Sequence, residues 1–227
     1  KNKFLSIIAH DLKSPFNSMI GFSNILIDDW KRLDEEEKVE IITLVKNTTE
    51  DTYPLLINLL EWSKVQKKQV EYNPDLINFH NLAKECSKQL NADAFLKNIR
   101  ISIEVAPSLM VYADPNMLHT VVRNLISNGI KFTPKNGSIT IKAVERDHEV
   151  ECCFIDSGIG MTKEEAENLF KLQYRNSSKG TEGETGTGLG LVLCHEFVKK
   201  HNGSFTVRSE PGKGSTFCFT LPKHKQK

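Results

Sequence analysis

The sequence has no run of about eighteen apolar residues that would serve as a membrane span. It also has no basic stretch leading into a short apolar core that would read as a secretory signal. It lacks an excess of charge of either sign. Thirty basic against twenty-nine acidic residues leave a formal charge of +1, too little for the broad field that nucleic acid or an anionic membrane surface calls for. It lacks CxxC spacing. The five cysteines, Cys86, Cys152, Cys153, Cys194 and Cys218, lie in apolar segments where thiols usually act as small hydrophobes. A reducing, cytoplasmic compartment fits this usage. The chain opens directly on a motif and ends in the polar tail "KHKQK", as expected of a piece whose membrane anchor, if any, lies in other segments.

What is present is a chain of 227 residues, 39% hydrophobic and 26% charged, long enough for two domains with a buried core. From Leu5, apolar residues and one proline recur at Leu5, Ile8, Leu12, Pro15, Met19, Phe22 and Leu26. These alternating steps of three and four form the seam of a helix packed in a bundle. In that register His10 falls farthest from the seam, with Ser14 one turn on along the same outer side. Pro15 removes a backbone donor and is expected to bend the helix just past His10.

"DDWKRLDEEE" reads as a polar connection with acids suited to a helix start. A second helix runs to about Lys68, with Pro54 as another expected kink. A two-helix hairpin has little core of its own, so pairing into a four-helix bundle, a homodimer, is expected. Asn73-Pro74 breaks the pattern, which places the boundary near Tyr72: a hairpin over 1–71 and a second domain over 72–227.

The second domain mixes helices and strands. "INFHNLAKECSKQLNADAFLKN" reads as a helix, "RISIEV" and "MVYAD" as strands, and Asp114-Pro115 as the cap and first turn of another helix. "SITIKAVERD" and "VECCFIDSG" alternate like antiparallel strands; "KEEAENLF" is a short helix and "GLGLVLCHEFVKKHNG" a long one. "SFTVRSEPGKGSTFCFTL" is a hairpin with Pro-Gly-Lys-Gly at its tip. The class is α+β, a helical hairpin followed by a two-layer sandwich.

Three boxes carry polar chemistry. Asn124 and Asn128 share one face of their helix, and Lys131 follows one turn on. Amide oxygens suit Mg²⁺, which needs few protein ligands when substrate phosphates supply the rest, although asparagines in a helix also serve local backbone. "DSGIGM" ends a strand in Asp156, with Gly158 and Gly160 permitting close backbone approach. A carboxylate there can accept from an exocyclic amine such as that of adenine, or simply cap a turn.

"GTGLGL" puts Gly186, Thr187, Gly188, Leu189 and Gly190 at a helix start, where free amides and the dipole favour phosphate. A plain glycine hinge is the alternative. The polar, glycine-dotted "KLQYRNSSKGTEGE" before it has the composition of a lid, from which Arg175 and Lys179 can reach phosphate. A phosphate pocket and an exposed histidine on one chain make a donor and a nucleophile, and so point to transfer of the ATP γ-phosphoryl group to His10.

The ordered set "FLSIIAHDLKSPF", "NLISNGIKFT", "DSGIGM", Leu169-Phe170 and "GTGLGL" resembles the kinase core of two-component sensor histidine kinases over nearly the whole chain. Each box alone is weak, whereas five in order are specific. The resemblance implies a dimerisation and phosphoacceptor hairpin followed by a Bergerat-type ATP-binding domain shared with DNA gyrase. It implies that His10 accepts the phosphoryl group with Asp11 as its orienting base. Asn128, supported by Asn124, holds Mg²⁺; Lys131 contacts phosphate, Phe132 lies on the adenine side, and Asp156 binds the adenine amine. The glycines line the nucleotide backbone. The partner it implies is a response-regulator receiver domain whose aspartate takes the phosphoryl group.

Three positions depart from the usual pattern. Gly129 stands for alanine, Gln173 for a second phenylalanine, and Ser14 for threonine or asparagine. The last leaves phosphatase action toward the regulator open. Two other readings remain at this stage. ATP hydrolysis leaves the histidine box unexplained, and a nucleotide-binding or decayed scaffold is at odds with intact Asn128, Asp156 and GTGLGL. The other six histidines, His80, His119, His148, His195, His201 and His224, lack motif context and receive no role.

Overall fold

In the computed structural model, the described backbone covers residues 2–66, 71–171, 179–184 and 188–224, and the described side chains exclude 1–11, 61–62 and 64–66. The chain divides into two compact units, Lys1–Gln66 and Lys67–Lys227. Among the described residues, no helix is long and apolar enough to cross a membrane.

The first unit is a helical hairpin of α1 (Asn2–Asp29) and α2 (Glu35–Gln66), and both helices run on through their prolines, Pro15 and Pro54. Asp34 starts α2 with a reciprocal cap: its Oδ1 accepts from Glu37 N at 2.8 Å, and Glu37 Oε2 accepts from Asp34 N at 3.0 Å. The seam residues Leu12, Pro15, Met19, Phe22 and Leu26 are half-buried. Beside them Phe16, Ile20 and Ile27 on α1, and Val39, Ile42 and Tyr53 on α2, stay exposed. One hairpin thus covers only part of its apolar surface.

The second unit begins with a strand that the sequence reading left as loop. β1 (Asp75–Asn78) pairs antiparallel with β3 (Met110–Ala113) in a separate two-stranded sheet. The helix expected over 77–98 starts two residues late, at Phe79, because Asn78 is the N-cap, its side chain accepting from Asn81 N, and it is split at Leu90 into α3 (Phe79–Gln89) and α4 (Asn91–Leu96). The main sheet runs β2 (Arg100–Glu104), β4 (Ser138–Glu145), β5 (Glu149–Asp156), β7 (Ser215–Pro222), β6 (Phe205–Ser209). β2 lies parallel to β4, so the sheet is mixed and not purely antiparallel.

Alternation sends Ile139, Ile141, Val150, Cys152, Phe154, Phe217, Phe219 and Leu221 into the core. There they meet α3, α5 (Pro115–Phe132) and α7 (Gly190–Lys200); the short α6 (Lys163–Asn168) carries a Thr162–Glu165 capping box.

Cys86, Cys152 and Cys194 are buried free thiols, as small hydrophobes should be. Cys153 and Cys218 are different. They sit directly opposite each other in the β5–β7 register and form a disulfide, because both point to the sheet face away from the helices.

His201, without a role in the sequence reading, closes the core at the end of α7. It is 2% exposed; its Nε2 accepts from Asp114 N at 2.8 Å, and its Nδ1 lies 2.7 Å from Phe197 O. An acceptor at Nε2 makes Nδ1 the donor, so the ring is held neutral. Burial lowers its pKa below the ordinary 6.5, while Phe197 O and Asp114 pull it back up and Lys200 pulls it down. The unfolded chain therefore binds the proton more readily. Stability contributed by neutral His201 is full above about pH 6.5 and is lost as pH falls toward the depressed folded pKa. Urea unfolding at pH 7.5 and 5.5 is expected to show a loss on acidification that is smaller in His201→Gln; equal losses would refute this.

Candidate nucleotide site

The site is built around α5. Asp114 begins it, its Oδ1 accepting from Asn116 N and Met117 N, and Pro115 occupies the first turn as the sequence indicated. Asn124, Asn128 and Lys131 follow on half-buried positions. Asn124 is partly committed, since its Nδ2 donates to Thr120 O at 3.0 Å. Its Oδ1 faces the start of α7, where a Cβ on Gly190 would come within 2.8 Å of it. Glycine therefore lets the two helices close on each other at that point. Lys131 Nζ lies 4.7 Å from the centre of the Phe132 ring, a cation–π arrangement.

Gly129, the departure from alanine, has a physical cause. It is buried in α5, and a Cβ there would approach Ile139 Cδ1 to 2.9 Å and Cγ1 to 3.3 Å.

The strand end holds the second part. Asp156 is 8% exposed, and its Oδ1 accepts from Gly158 N at 2.8 Å and Ser215 N at 3.1 Å. Among the described residues, none donates to Oδ2, which is left for an incoming donor. Burial raises the Asp156 pKa, while the bonds from Gly158 N and Ser215 N work against the rise. A Cβ on Gly158 would fall 2.6 Å from both Asp156 Oδ1 and Phe132 O, so glycine keeps the space beside the carboxylate open. Gly160 has φ +65°, and a Cβ there would lie 2.0 Å from Glu210 O.

The hairpin tip, which the sequence marked only as a turn, belongs to this loop. Gly212 N donates to Ile159 O at 2.7 Å and Met161 N to Ser209 Oγ at 2.8 Å. Gly214, with φ +84°, crosses so near the strand that a Cβ would be 1.9 Å from Asp156 O.

The other expected residues distribute as follows. Gly188 has φ +61°. Leu189, grouped with the phosphate-binding run, is 1% exposed, so its side chain belongs to the core. Phe170 stacks on His195 with ring centres 4.8 Å apart and meets Phe205 edge-on at 5.0 Å. Lys179 and Ser14 are exposed. Arg175, Gln173, Gly186 and Thr187 lie outside the described residues, as do the side chains of His10 and Asp11, whose backbone is on α1.

Sequence reasoning missed Thr133, whose buried Oγ1 has no described hydrogen-bond partner. It also missed Ser215, Gly214 and Lys97, the last because nothing in "FLKN" marks a lysine as buried.

Residues 1–68 match the His Kinase A (phospho-acceptor) domain, and residues 113–225 match the histidine kinase-, DNA gyrase B- and HSP90-like ATPase family. The chain belongs to the histidine kinase family. The two matches leave only 69–112 and the last two residues uncovered. Sensor protein EvgS of Escherichia coli O157:H7 is 31% identical over 228 residues, covering 98% of this chain and 19% of that protein. The first curated relatives extend well beyond the kinase core, and the chain spans 19% to 28% of their length. Histidine kinase AdeS of Acinetobacter baumannii superposes with a TM-score of 0.75 at 20% identity, over 95% of this chain and 98% of that one. Histidine kinase ThkA, solved in complex with response regulator TrrA, gives 0.75 at 21% identity over 98% and 61%. Both share the fold of a kinase hairpin followed by an ATPase sandwich.

The packing of Gly129 on Ile139 is testable in this histidine kinase core. Alanine in place of glycine gains about 1 kcal/mol of helix propensity, which the wild-type contact with Ile139 offsets. Gly129→Ala in an Ile139→Val background, where the nearest methyl is gone, is expected to stabilise relative to Ile139→Val alone by about 1 kcal/mol in urea unfolding. No gain would show that something other than Ile139 excludes the alanine.

Proposed function

We propose that this chain is the core of an ATP-dependent protein-histidine kinase, which phosphorylates itself on His10 and passes the phosphoryl group to an aspartate of a response-regulator receiver domain. The observation that carries the reading is the Asp156 carboxylate, fixed through Oδ1 by two backbone donors with Oδ2 turned over to a ligand, on a chain that also carries a phosphoacceptor module. ThkA, a fold relative, was solved with a response regulator, which supports the choice of partner. Residues 1–71 act as the dimerisation and phosphotransfer hairpin, and 72–227 as the catalytic domain. A cytoplasmic location fits this role.

In this reading Asp156 Oδ2 accepts from the adenine amine, Phe132 flanks the base, and Gly158 and Gly160 leave room for it. The backbone of the run Gly186–Gly190, with Lys131, Arg175 and Lys179, holds the phosphates. Asn128 would supply an amide oxygen to Mg²⁺, with Asn124, whose Nδ2 donates to Thr120 O, in support. When bound, Mg²⁺ offsets phosphate charge as it builds up. A neutral imidazole, about 6.5 in pKa when unperturbed, is already nucleophilic at pH 7. A His10 ring nitrogen forms the bond to the γ-phosphorus while the bond to the β–γ bridging oxygen breaks and ADP departs with that electron pair. Asp11 holds the proton on the other ring nitrogen and stabilises the positive charge that develops. Positioning supplies most of the rate.

Incubation with γ-labelled ATP and Mg²⁺ is expected to give label that is stable in base and labile in acid. His10→Gln removes it entirely, and Asp156→Asn raises the Kd for ATP about tenfold or more, the equivalent of one strong hydrogen bond. Label persisting in His10→Gln rules out the assignment. The exposed apolar stripe predicts a dimer in sedimentation equilibrium, shifted toward monomer by Ile20→Glu; a wild-type monomer at tens of micromolar contradicts the bundle.

A further inference from the structure

The last turn of α5 is held by a residue outside every motif. Lys97 follows α4 and is 5% exposed. Its Nζ lies 2.7 Å from Ile130 O, 3.1 Å from Lys131 O, 2.6 Å from Thr181 Oγ1 and 2.9 Å from Glu184 Oε1. An ammonium has three protons and seeks acceptors all round; here two are carbonyls at the negative end of a helix and one is a carboxylate. Its backbone is fixed too, since Lys97 O accepts from Asn136 N at 2.9 Å in the turn after α5.

The segment it grips is itself ordered on that helix end. Thr181 N donates to Lys131 O at 3.0 Å, Gly180 N to Glu184 O at 2.8 Å, and Glu182 N to Glu184 Oε2 at 2.8 Å. Lys135 adds an ion pair to Glu182 at 3.1 Å. A Cβ on Gly180 would strike both Glu184 and Lys131, so the strip lies flat against the lysine that the phosphate reading employs. Burial works against the charge of the Glu184 carboxylate, but the hydrogen bond from Lys97 and backbone donors outweigh it and lower its pKa. It is therefore ionised at neutral pH.

We propose that Lys97 is a positioning residue for nucleotide: by clamping residues 180–184 to the last turn of α5, it fixes that strip, which precedes the glycine run in sequence, relative to Asn128 and Lys131. A buried ion pair is seldom a source of net stability, whereas four acceptors gathered round one ammonium of three donors fix geometry. Glu184 stands four residues before Gly188, close enough in sequence for the clamp to bear on the phosphate-binding run of the proposed site. The inference rests on the nucleotide reading of the site.

Titration of the full chain with ATP and Mg²⁺ by calorimetry, beside thermal unfolding, tests it. Lys97→Met and Glu184→Gln are each expected to raise the Kd for ATP about tenfold, and the double variant is expected to bind no worse than Lys97→Met, since both remove one coupled contact. The KM for ATP in His10 labelling should rise in parallel, with kcat at saturating ATP within threefold of wild type. Glu184 is a third exposed, so Glu184→Gln decides the matter should Lys97→Met fail to fold. Wild-type affinity within twofold in folded variants, with only the melting temperature lowered, makes Lys97 structural and overturns the proposal. A wild-type chain that binds no ATP overturns the nucleotide reading and this inference with it.

Discussion

A helix ends with four carbonyls that no later turn of its own can satisfy, and in α5 those four are shared out among different parts of the second unit. Gly129 O accepts from Thr133 N, Ile130 O from Lys97 Nζ, Lys131 O from Thr181 N, and Phe132 O from Ile159 N. One donor belongs to the helix's own exit, one to the α4–β2 turn, one to the strip before the glycine run and one to the DSGIG loop. The segments that sequence separates by dozens of residues are thereby referred to one local frame. Leaving any of these acceptors unpaired in a buried setting costs on the order of 1–3 kcal/mol, so the segments are held there together.

The pocket that results is mostly backbone. Asp156 is a buried side chain with an uncommitted acceptor, and it is positioned by two main-chain N–H groups, one from its own loop and one from β7. Gly158, Gly160 and Gly214 matter because other chain segments occupy the space where their Cβ atoms would be. The glycines are thus points where three loops cross within van der Waals contact, and the hairpin tip is part of the site although it carries no ligand-binding side chain.

This explains what was legible in the sequence. Asp114-Pro115, the alternation through β4 and β5, and the cap at Thr162 are local signals, and local structure follows them. Lys97, Ser215 and Gly214 enter the site only through pairings across 33 to 87 residues, and no periodicity encodes such partners. β1 escaped notice because its four residues follow a proline and pair with a strand beyond two intervening helices. The parallel pairing of β2 and β4 likewise depends on a crossover through α5. Cys153 and Cys218 each read as an ordinary strand residue; register alone makes them a pair. The departure at Gly129 looked like a cost in helix propensity, and became intelligible only when Ile139 was seen to occupy the missing methyl's place.

The two chemical partners face opposite electrostatic demands, and the fold meets each in a different unit. In the proposed nucleotide reading, Asp156 stays ionised while nearly buried in order to accept from a neutral amine. Desolvation raises its pKa, and the two N–H bonds to Oδ1 supply the opposing pull without consuming Oδ2. An imidazole nucleophile needs no such support, because water at neutral pH already leaves it largely unprotonated. Ser14, which the heptad pattern places on the outer side of its helix, is exposed. A hairpin with exposed apolar surface of its own is adequate for the proposed task, which asks only for an imidazole on a helix and a surface for a second hairpin. The Asp156 carboxylate, by contrast, is positioned by the crossing loops and shared carbonyls that a full core keeps in place.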